Sequence, residues 1–322
     1  MSRRLDGGDT GAEVPALPAP SRGMRVVLGC GNFGGIGSAP AFFGQGESRE
    51  QAFDLMDAAW ALGFDRFDTA DAYGGGRSEA WIGEWIAATG NRPRITSKTF
   101  NAMEDGADFG LARDRVLRQV ETSLARLRIE HIDLYLTHEP DPETPVEETF
   151  ATFAALTERG LIDAWGISNV TADDLRQWLA LGTPSLVQNS YSLLERGDEQ
   201  EVIPVCEQHG VEYQAFSPLA GGWLTGKYRR GEAPPPGSRM TMRPEPYRHL
   251  DSESVHAGLE RLANAAAARG VSTAALALAW VLGEVGSVVV GPRRPEHLEN
   301  VHEALSLSLS ATQREEVGSF FD

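Results

Sequence analysis

From Met24 onward one unit recurs eight times: a short apolar run, a loop, then an amphipathic segment. The runs are MRVVLG (24–29), FDRFD (64–68), RITSK (94–98), IDLYLT (132–137), IDAWGIS (162–168), SLVQNS (185–190), VEYQAFS (211–217) and SVVVG (287–291). Short apolar runs that alternate with helical patterns predict parallel strands joined by crossover helices. SREQAFDLMDAAWALG shows the helical pattern: Ser48-x-x-Gln51 is a capping box, Ala52, Met56, Ala59 and Trp60 share a face, and Gly63 stops it. GLARDRVLRQVETSLARL repeats it with Val116, Val120 and Leu124. Eight such units within 322 residues predict an α/β fold, a closed (β/α)8 TIM barrel in one domain over 23–322. An open sheet of that size would more often divide into two domains. ATQREEVGSFF reads as an extra C-terminal helix, and residues 220–250 as a long covering loop after the seventh strand. Loops beyond about 15 residues in a compact domain usually serve function or are disordered.

The first run leads into VVLGCGNFGGIG, in which Gly29, Gly31 and Gly34 give the G-x-G-x-x-G spacing of a dinucleotide-binding turn. That turn works only where a helix opens at the third glycine, so that its N-terminal N–H groups meet the pyrophosphate. Here Pro40, Gly44 and Gly46 forbid a continuous helix before about Ser48. Asp54 and Asp57, about 20 positions on, fall inside a helical pattern rather than at a strand end. The spacing is therefore read as a coincidence of a loop.

Charge narrows the partners. Lys and Arg number 29 against 46 Asp and Glu, a formal charge of -17, which repels nucleic acid and anionic membrane surfaces. A polyphosphate ligand would need a local basic cluster. Cys30 and Cys206 are the only two cysteines, so there is no disulfide framework and a reducing cytoplasm is the simplest location. Residues 1–22 carry Arg3 and Arg4 but no apolar stretch, and read as a disordered tail rather than a signal peptide or span. The composition is compatible with a homo-oligomer.

In a parallel barrel the chemistry sits at the C-terminal ends of the strands. Those ends offer Asp68 with Tyr73 just beyond, Lys98, His138, Ser168 and Asn169, Gln188, then Phe216 and Ser217. An acid, a phenol, an amine and an imidazole thus come from adjacent strands. A free phenol near pKa 10 is a reluctant acid, and lowering it by two or three units takes roughly 3–4 kcal/mol. An ammonium about 4 Å away supplies on the order of 4 kcal/mol at an effective dielectric of 20. Lys98 is that ammonium, Asp68 would keep it charged and aimed, and His138 would bond the same substrate oxygen. The set suits proton donation to a carbonyl oxygen becoming an alkoxide. Each residue also has a structural reading: Asp68 as a loop cap, Tyr73 as a packed aromatic, His138 as a core histidine. Lys98 is the odd one, since an unpaired buried lysine is costly. YGGGRSE resembles an anion nest, although Ser78 as N-cap of EAWIGEWIAA accounts for it better.

Seven blocks now form a pattern: GFDRFDTADAYGGGRSE, ITSKT, DLYLTHEPDPETPVEE, WGISN, VQNSYSLLER, FSPLAGGWLTGKY and GPRRPEHL. In order and spacing the chain resembles the aldo-keto reductases from Met24 to its C-terminus. The resemblance implies a (β/α)8 barrel, NADP(H), and reduction of aldehydes and ketones by an Asp, Tyr, Lys, His tetrad, here Asp68, Tyr73, Lys98 and His138. It implies that Ser168, Asn169 and Gln188 hold the carboxamide, that Phe216 stacks on the nicotinamide, and that Asn32 and Phe33 lie beside it. Ser217, Pro218, Leu219, Ala220 and Gly221, with Lys227 and Arg239, would close over the pyrophosphate. Gly291, Arg293 and Arg294 would surround the 2'-phosphate, favouring NADPH over NADH. His297 and Asn300 stand at the adenine end, where the family usually carries Gln or Arg and an acidic residue followed by Asn. The family's hairpin before the first strand also looks reduced. The substrate pocket would be formed by Phe33, Tyr73, His138 and Trp165 with the loops APAFFGQG and 222–250. There Phe42, Phe43 and Trp223 suggest an apolar or ring-bearing carbonyl substrate.

Two other functions remain open at this stage. A cofactor-binding regulatory subunit would share the barrel and turn over poorly, and an intact tetrad argues against it. A metal-dependent barrel isomerase or hydrolase would need clustered His and carboxylate ligands on the strand ends, which the sequence does not supply.

Overall fold

The computed structural model describes residues 25–103 and 108–322. The tail expected over 1–22 lies outside them. The strands are β1 Val26–Gly29, β2 Arg66–Asp68, β3 Arg94–Thr99, β4 Ile132–Thr137, β5 Ile162–Ser168, β6 Leu186–Ser190, β7 Glu212–Phe216 and β8 Ser287–Val290. All are parallel, each pairs with the next, and β8 returns to β1 through Val26 opposite Val288 and Leu28 opposite Val290. The barrel is closed, as the eight apolar runs predict.

The helices are α1 Arg49–Ala61, α2 Arg77–Thr89, α3 Arg113–Leu127, α4 Val146–Glu158, α5 Ala172–Leu179, α6 Val202–His209, a short α7 Arg239–Met242, α8 Glu253–Ala268, α9 Thr273–Glu284, α10 His297–Ser306 and α11 Ala311–Gly318. The capping box on α1 forms as expected, with Ser48 accepting from the Gln51 amide and the Gln51 side chain returning to Ser48. No α-helix follows Gly34: one short 3-10 turn, Pro40–Phe42, precedes α1. The extra C-terminal helix is α11, which Trp280 of α9 holds by donating its indole N–H to the Arg314 carbonyl. One local expectation fails. Gly76, in the left-handed region at φ 83, caps α2, and Ser78 lies inside the helix, donating its hydroxyl to the Cys30 carbonyl. Among the described residues no single helix is long and apolar enough to cross a membrane.

Strand alternation sorts the side chains into two layers. Leu134, Leu136, Ala164 and Leu186 form a small apolar cluster inside the barrel. Tyr135, Trp165 and Ile167, one residue out of phase, join the large core between strands and helices. Trp165 packs against Trp178 of α5 and Phe150 of α4, so it stands in the helix layer and not in the substrate pocket. Gly166 is required where β5 passes the interior: a Cβ there would lie 2.5 Å from the Leu186 carbonyl oxygen.

Much of the remaining interior is polar. Gln188 donates to Gln214 Oε1 at 2.7 Å, Gln214 donates to Ser287 at 2.9 Å, and Ser287 donates to Glu212, whose carboxylate faces Arg66 at 3.6 Å. Buried polar groups are tolerated only when bonded, and this column satisfies itself from the bottom of the barrel up to Asp68, to which Gln188 also donates at 2.8 Å.

Candidate active site

At the C-terminal mouth, Lys98 is 1% exposed and donates from Nζ to Asp68 Oδ1 at 2.6 Å and to the Thr69 carbonyl at 2.9 Å. Burial pulls the ammonium down, but Asp68 and Tyr73 raise it more, so Lys98 stays charged. Its Nζ lies 5.1 Å from the Tyr73 ring centroid. The Tyr73 hydroxyl is 3.4 Å from His138 Nε2, and the two rings meet edge to face. His138 is held well below its usual value by burial and by the charge of Lys98, which leaves the ring neutral. The four side chains singled out from the sequence thus form one cluster.

The phenol departs from expectation. Lys98 does lower its pKa, but burial raises it more and Asp68 adds to the rise, so the net direction for Tyr73 is upward. The resting hydroxyl keeps its proton. Donation does not need a depressed value, because an alkoxide is more basic than a phenolate and draws the proton as it forms.

Ser168 and Gln188 are buried beside the cluster: the Ser168 hydroxyl donates to the Gln188 carbonyl at 2.6 Å, and both Gln188 amide bonds run to Asp68 and Gln214. Asn169 adopts φ 57 and donates to the His138 carbonyl at 2.8 Å. Left-handed backbone recurs at Ser217 and Ala220, φ 53 and 46, around Pro218 and Leu219 after β7. Strain of this kind costs about 1–3 kcal/mol per residue and collects at ligand sites. Gly221, φ 62, completes the turn, where a Cβ would lie 2.6 Å from the Tyr247 ring. Phe216 is half-buried at the end of β7.

The long loop is clasped down by arginines. Arg239 donates to Asn32 Oδ1 at 2.9 Å, Arg243 donates to the Ile36 carbonyl and lies over Phe42, and Arg293 donates to the Gly237 carbonyl. Arg293 also pairs with the buried Glu47 at 2.5 Å. Lys227 and Arg239 are pulled below their usual values by burial first and then by neighbouring cations, Arg293 in both cases. His297, whose Nδ1 accepts from the Arg293 amide, is lowered by burial and by Arg294. Cations that repel one another at the mouth of so acidic a chain suit a polyanion. Arg294 is exposed beside Gly291 and makes no side-chain hydrogen bond among the described residues; Asn300 lies on α10.

Two pocket expectations need correction. Phe33, 1% exposed, lies in the apolar core, and its strand-like bridge to Glu47 keeps the ring there. Trp223 is 2% exposed and packs under the loop against Tyr228 and His256. Phe42 and Phe43 remain half-buried near the mouth, with Phe43 against Gly75.

No local pattern marks a second set of polar groups at this end of the barrel. Asp71 accepts from Thr99 Oγ1 at 2.8 Å and faces Arg115 at 3.7 Å, while its Oδ1 is buried without a partner. Glu79 accepts from Ser97 at 2.6 Å and pairs with Arg126 at 3.3 Å. Asn101 donates from Nδ2 to His138 Nδ1 at 3.1 Å. Neutral amides and second carboxylates have no characteristic spacing, so only the fold brings them together.

Residues 25–321 match the Aldo/keto reductase family. The NADH-specific methylglyoxal reductase of Escherichia coli (strain K12) is 31% identical over 85% of this chain and 88% of its own. A probable voltage-gated potassium channel subunit beta of Arabidopsis thaliana is 31% identical over 82% of this chain and 85% of its own. Among solved structures, a glycerol dehydrogenase from Gluconobacter oxydans superposes with a TM-score of 0.79 at 27% identity, covering 92% of this chain and 90% of that one.

Asp71 makes the site a determinant of stability. Burial, reinforced by the charge of Glu79, pushes its carboxyl up to about 7. Raised above its unfolded value, such a group contributes stability that is fully present in acid and is lost as pH rises through the folded value. Between pH 5 and pH 8 the chain should lose about 2–3 kcal/mol on this account. Urea unfolding of Asp71→Asn at both pH values should show that loss removed; an unchanged difference would mean Asp71 is ionised in the fold throughout.

Proposed function

The chain belongs to the aldo/keto reductase family, and on that footing we propose that it reduces a small aldehyde or ketone to the alcohol with NADPH, Tyr73 supplying the proton. The observation that carries this reading is the buried cluster in which a charged Lys98 and a neutral His138 flank one phenol. In it Asp68 holds Lys98, Lys98 favours the developing phenolate, and Tyr73 passes its proton to the carbonyl oxygen. His138 donates to that same oxygen and steers it toward the phenol.

The residues present fit a nicotinamide dinucleotide. Ser168, Asn169 and Gln188 would hold the carboxamide and Phe216 would stack on the ring, with Asn32 and the Phe33 backbone alongside. The turn of Ser217, Pro218, Leu219 and Gly221, left-handed at Ser217 and Gly221, would cover the pyrophosphate, with Lys227 and Arg239 neutralising it. Gly291, Arg293 and Arg294 would take the 2'-phosphate, and His297 and Asn300 the adenosine end. When bound, the cofactor supplies a hydride to the carbonyl carbon.

The choice of NADPH rests on Arg294. Arg293 is engaged by Glu47 and the Gly237 carbonyl, whereas the donors of its neighbour Arg294 are uncommitted among the described residues. The NADH-specific E. coli relative makes the opposite preference the alternative to test. A second reading, a cofactor-binding regulatory subunit, is favoured by the channel-subunit relative; sustained NADPH oxidation with a simple aldehyde would reject it.

Replacing Tyr73 by Phe should cut reduction by about 10²–10⁴ while leaving cofactor affinity nearly unchanged. Retention of more than about a tenth of the turnover, with chemistry rate-limiting, would remove Tyr73 as the acid. Replacing Arg294 by Ala should weaken NADPH by about 1.5–3 kcal/mol and NADH far less. Fluorescence titration of the free protein measures both. Equal losses would mean that Arg294 supports the fold or the shared pyrophosphate rather than the 2'-phosphate, and a wild type that binds NADH more tightly would reverse the cofactor assignment.

A further inference from the structure

Asn101 lies just beyond β3, and the proton-transfer scheme above does not use it. Its amide Nδ2 lies 3.1 Å from His138 Nδ1, on the opposite side of the ring from the Tyr73 hydroxyl. We propose that Asn101 is a positioning residue that fixes the tautomer of His138, so that Nε2 carries the ring proton and presents it to Tyr73 and the substrate oxygen.

The chemistry follows from counting protons. An amide NH2 only donates, so the ring nitrogen it meets must offer a lone pair. A neutral imidazole has one N–H, and with Nδ1 accepting, that proton sits on Nε2. Burial and Lys98 keep His138 neutral. The other tautomer would be unproductive: a bare Nε2 would accept the Tyr73 hydroxyl and draw the phenol proton away from the substrate. With Nε2 protonated, the imidazole donates to the oxygen on which charge develops, and the phenol is free to do the same.

The arrangement around Asn101 holds it in place. Arg115, 3% exposed, donates from Nη2 to the Asn101 carbonyl at 2.9 Å and from Nη1 to Thr99 Oγ1 at 2.8 Å and the Gly110 carbonyl at 2.9 Å. His138 is fixed through its backbone, its N–H donating to the Thr99 carbonyl at 2.9 Å and its carbonyl accepting from Asn169. Both partners of the contact are thus anchored to Thr99 or to the arginine that reads it. A ring held this way has its orientation set by the third group.

Nitrogen NMR of the histidine rings reads the tautomer directly in the cofactor-free protein. The chain has 7 histidines, and the signal lost in His138→Asn assigns the one that matters. Wild type should show a protonated Nε2 and a bare Nδ1. In Asn101→Asp the carboxylate accepts instead, so Nδ1 should become protonated whether the ring is neutral or charged; in Asn101→Leu the two tautomers should mix. Turnover of Asn101→Leu should fall by about tenfold in kcat with the KM for NADPH unchanged. A wild-type ring protonated on Nδ1 overturns the proposal without any variant, and so does a ring unaltered by either substitution. The turnover effect rests on the reductase reading and the tautomer does not, so a protein that reduced no carbonyl would refute that reading while the spectra still decided this one.

Discussion

A charged lysine and a charged aspartate share the inside of a closed barrel, and most of the mouth is arranged around that fact. Removing both from water costs several kcal/mol per ion before their attraction repays it. The repayment is visible bond by bond. Lys98 reaches Asp68 and the Thr69 carbonyl, and Asp68 Oδ2 accepts from Gln188. Gln188 needs Gln214, which needs Ser287 and then Glu212 and Arg66. The polar column through the barrel is the consequence, and it aims the one remaining ammonium N–H toward the phenol.

Around this pair the neutral groups take their states. His138 loses its charge to burial and to Lys98, while Tyr73 keeps its proton because burial outweighs the lysine. A phenol with its proton and an imidazole with one N–H make two donors for a single oxygen. The rim works on a different principle. Arg239, Arg243 and Arg293 draw the long loop onto the segment between β1 and α1, and the same cations give an acidic chain a place for phosphates.

The barrel and the clustering of Asp68, Tyr73, Lys98 and His138 were legible in the sequence because both depend on local signals. Apolar runs mark strands, and Asp68, Tyr73, Lys98 and His138 stand on or just beyond the C-terminal ends of β2, β3 and β4, where a closed parallel barrel opens its mouth. Where side-chain parity mattered more than position, reading along the chain failed: Ala164, Gly166 and Ser168 face inward, so Trp165 between them faces α4 and α5. The rise at Tyr73 was not legible either, since burial is a property of the assembled site. Glu47 and Arg293 stand 246 residues apart, and nothing local links them. Gln214 did leave a trace, a polar residue in an apolar run, and in the register it lies opposite Gln188.

The dependence of the site on its ion pair is tested most directly by replacing Lys98 with Met, which keeps most of the unbranched side chain and removes its charge. Single-turnover oxidation of bound NADPH by a saturating aldehyde, followed by fluorescence, isolates the chemical step. The expected result is a folded protein that binds NADPH and oxidises it more than about 10²-fold slower than wild type. A rate within about threefold of wild type would contradict the claim that the lysine governs proton transfer from Tyr73.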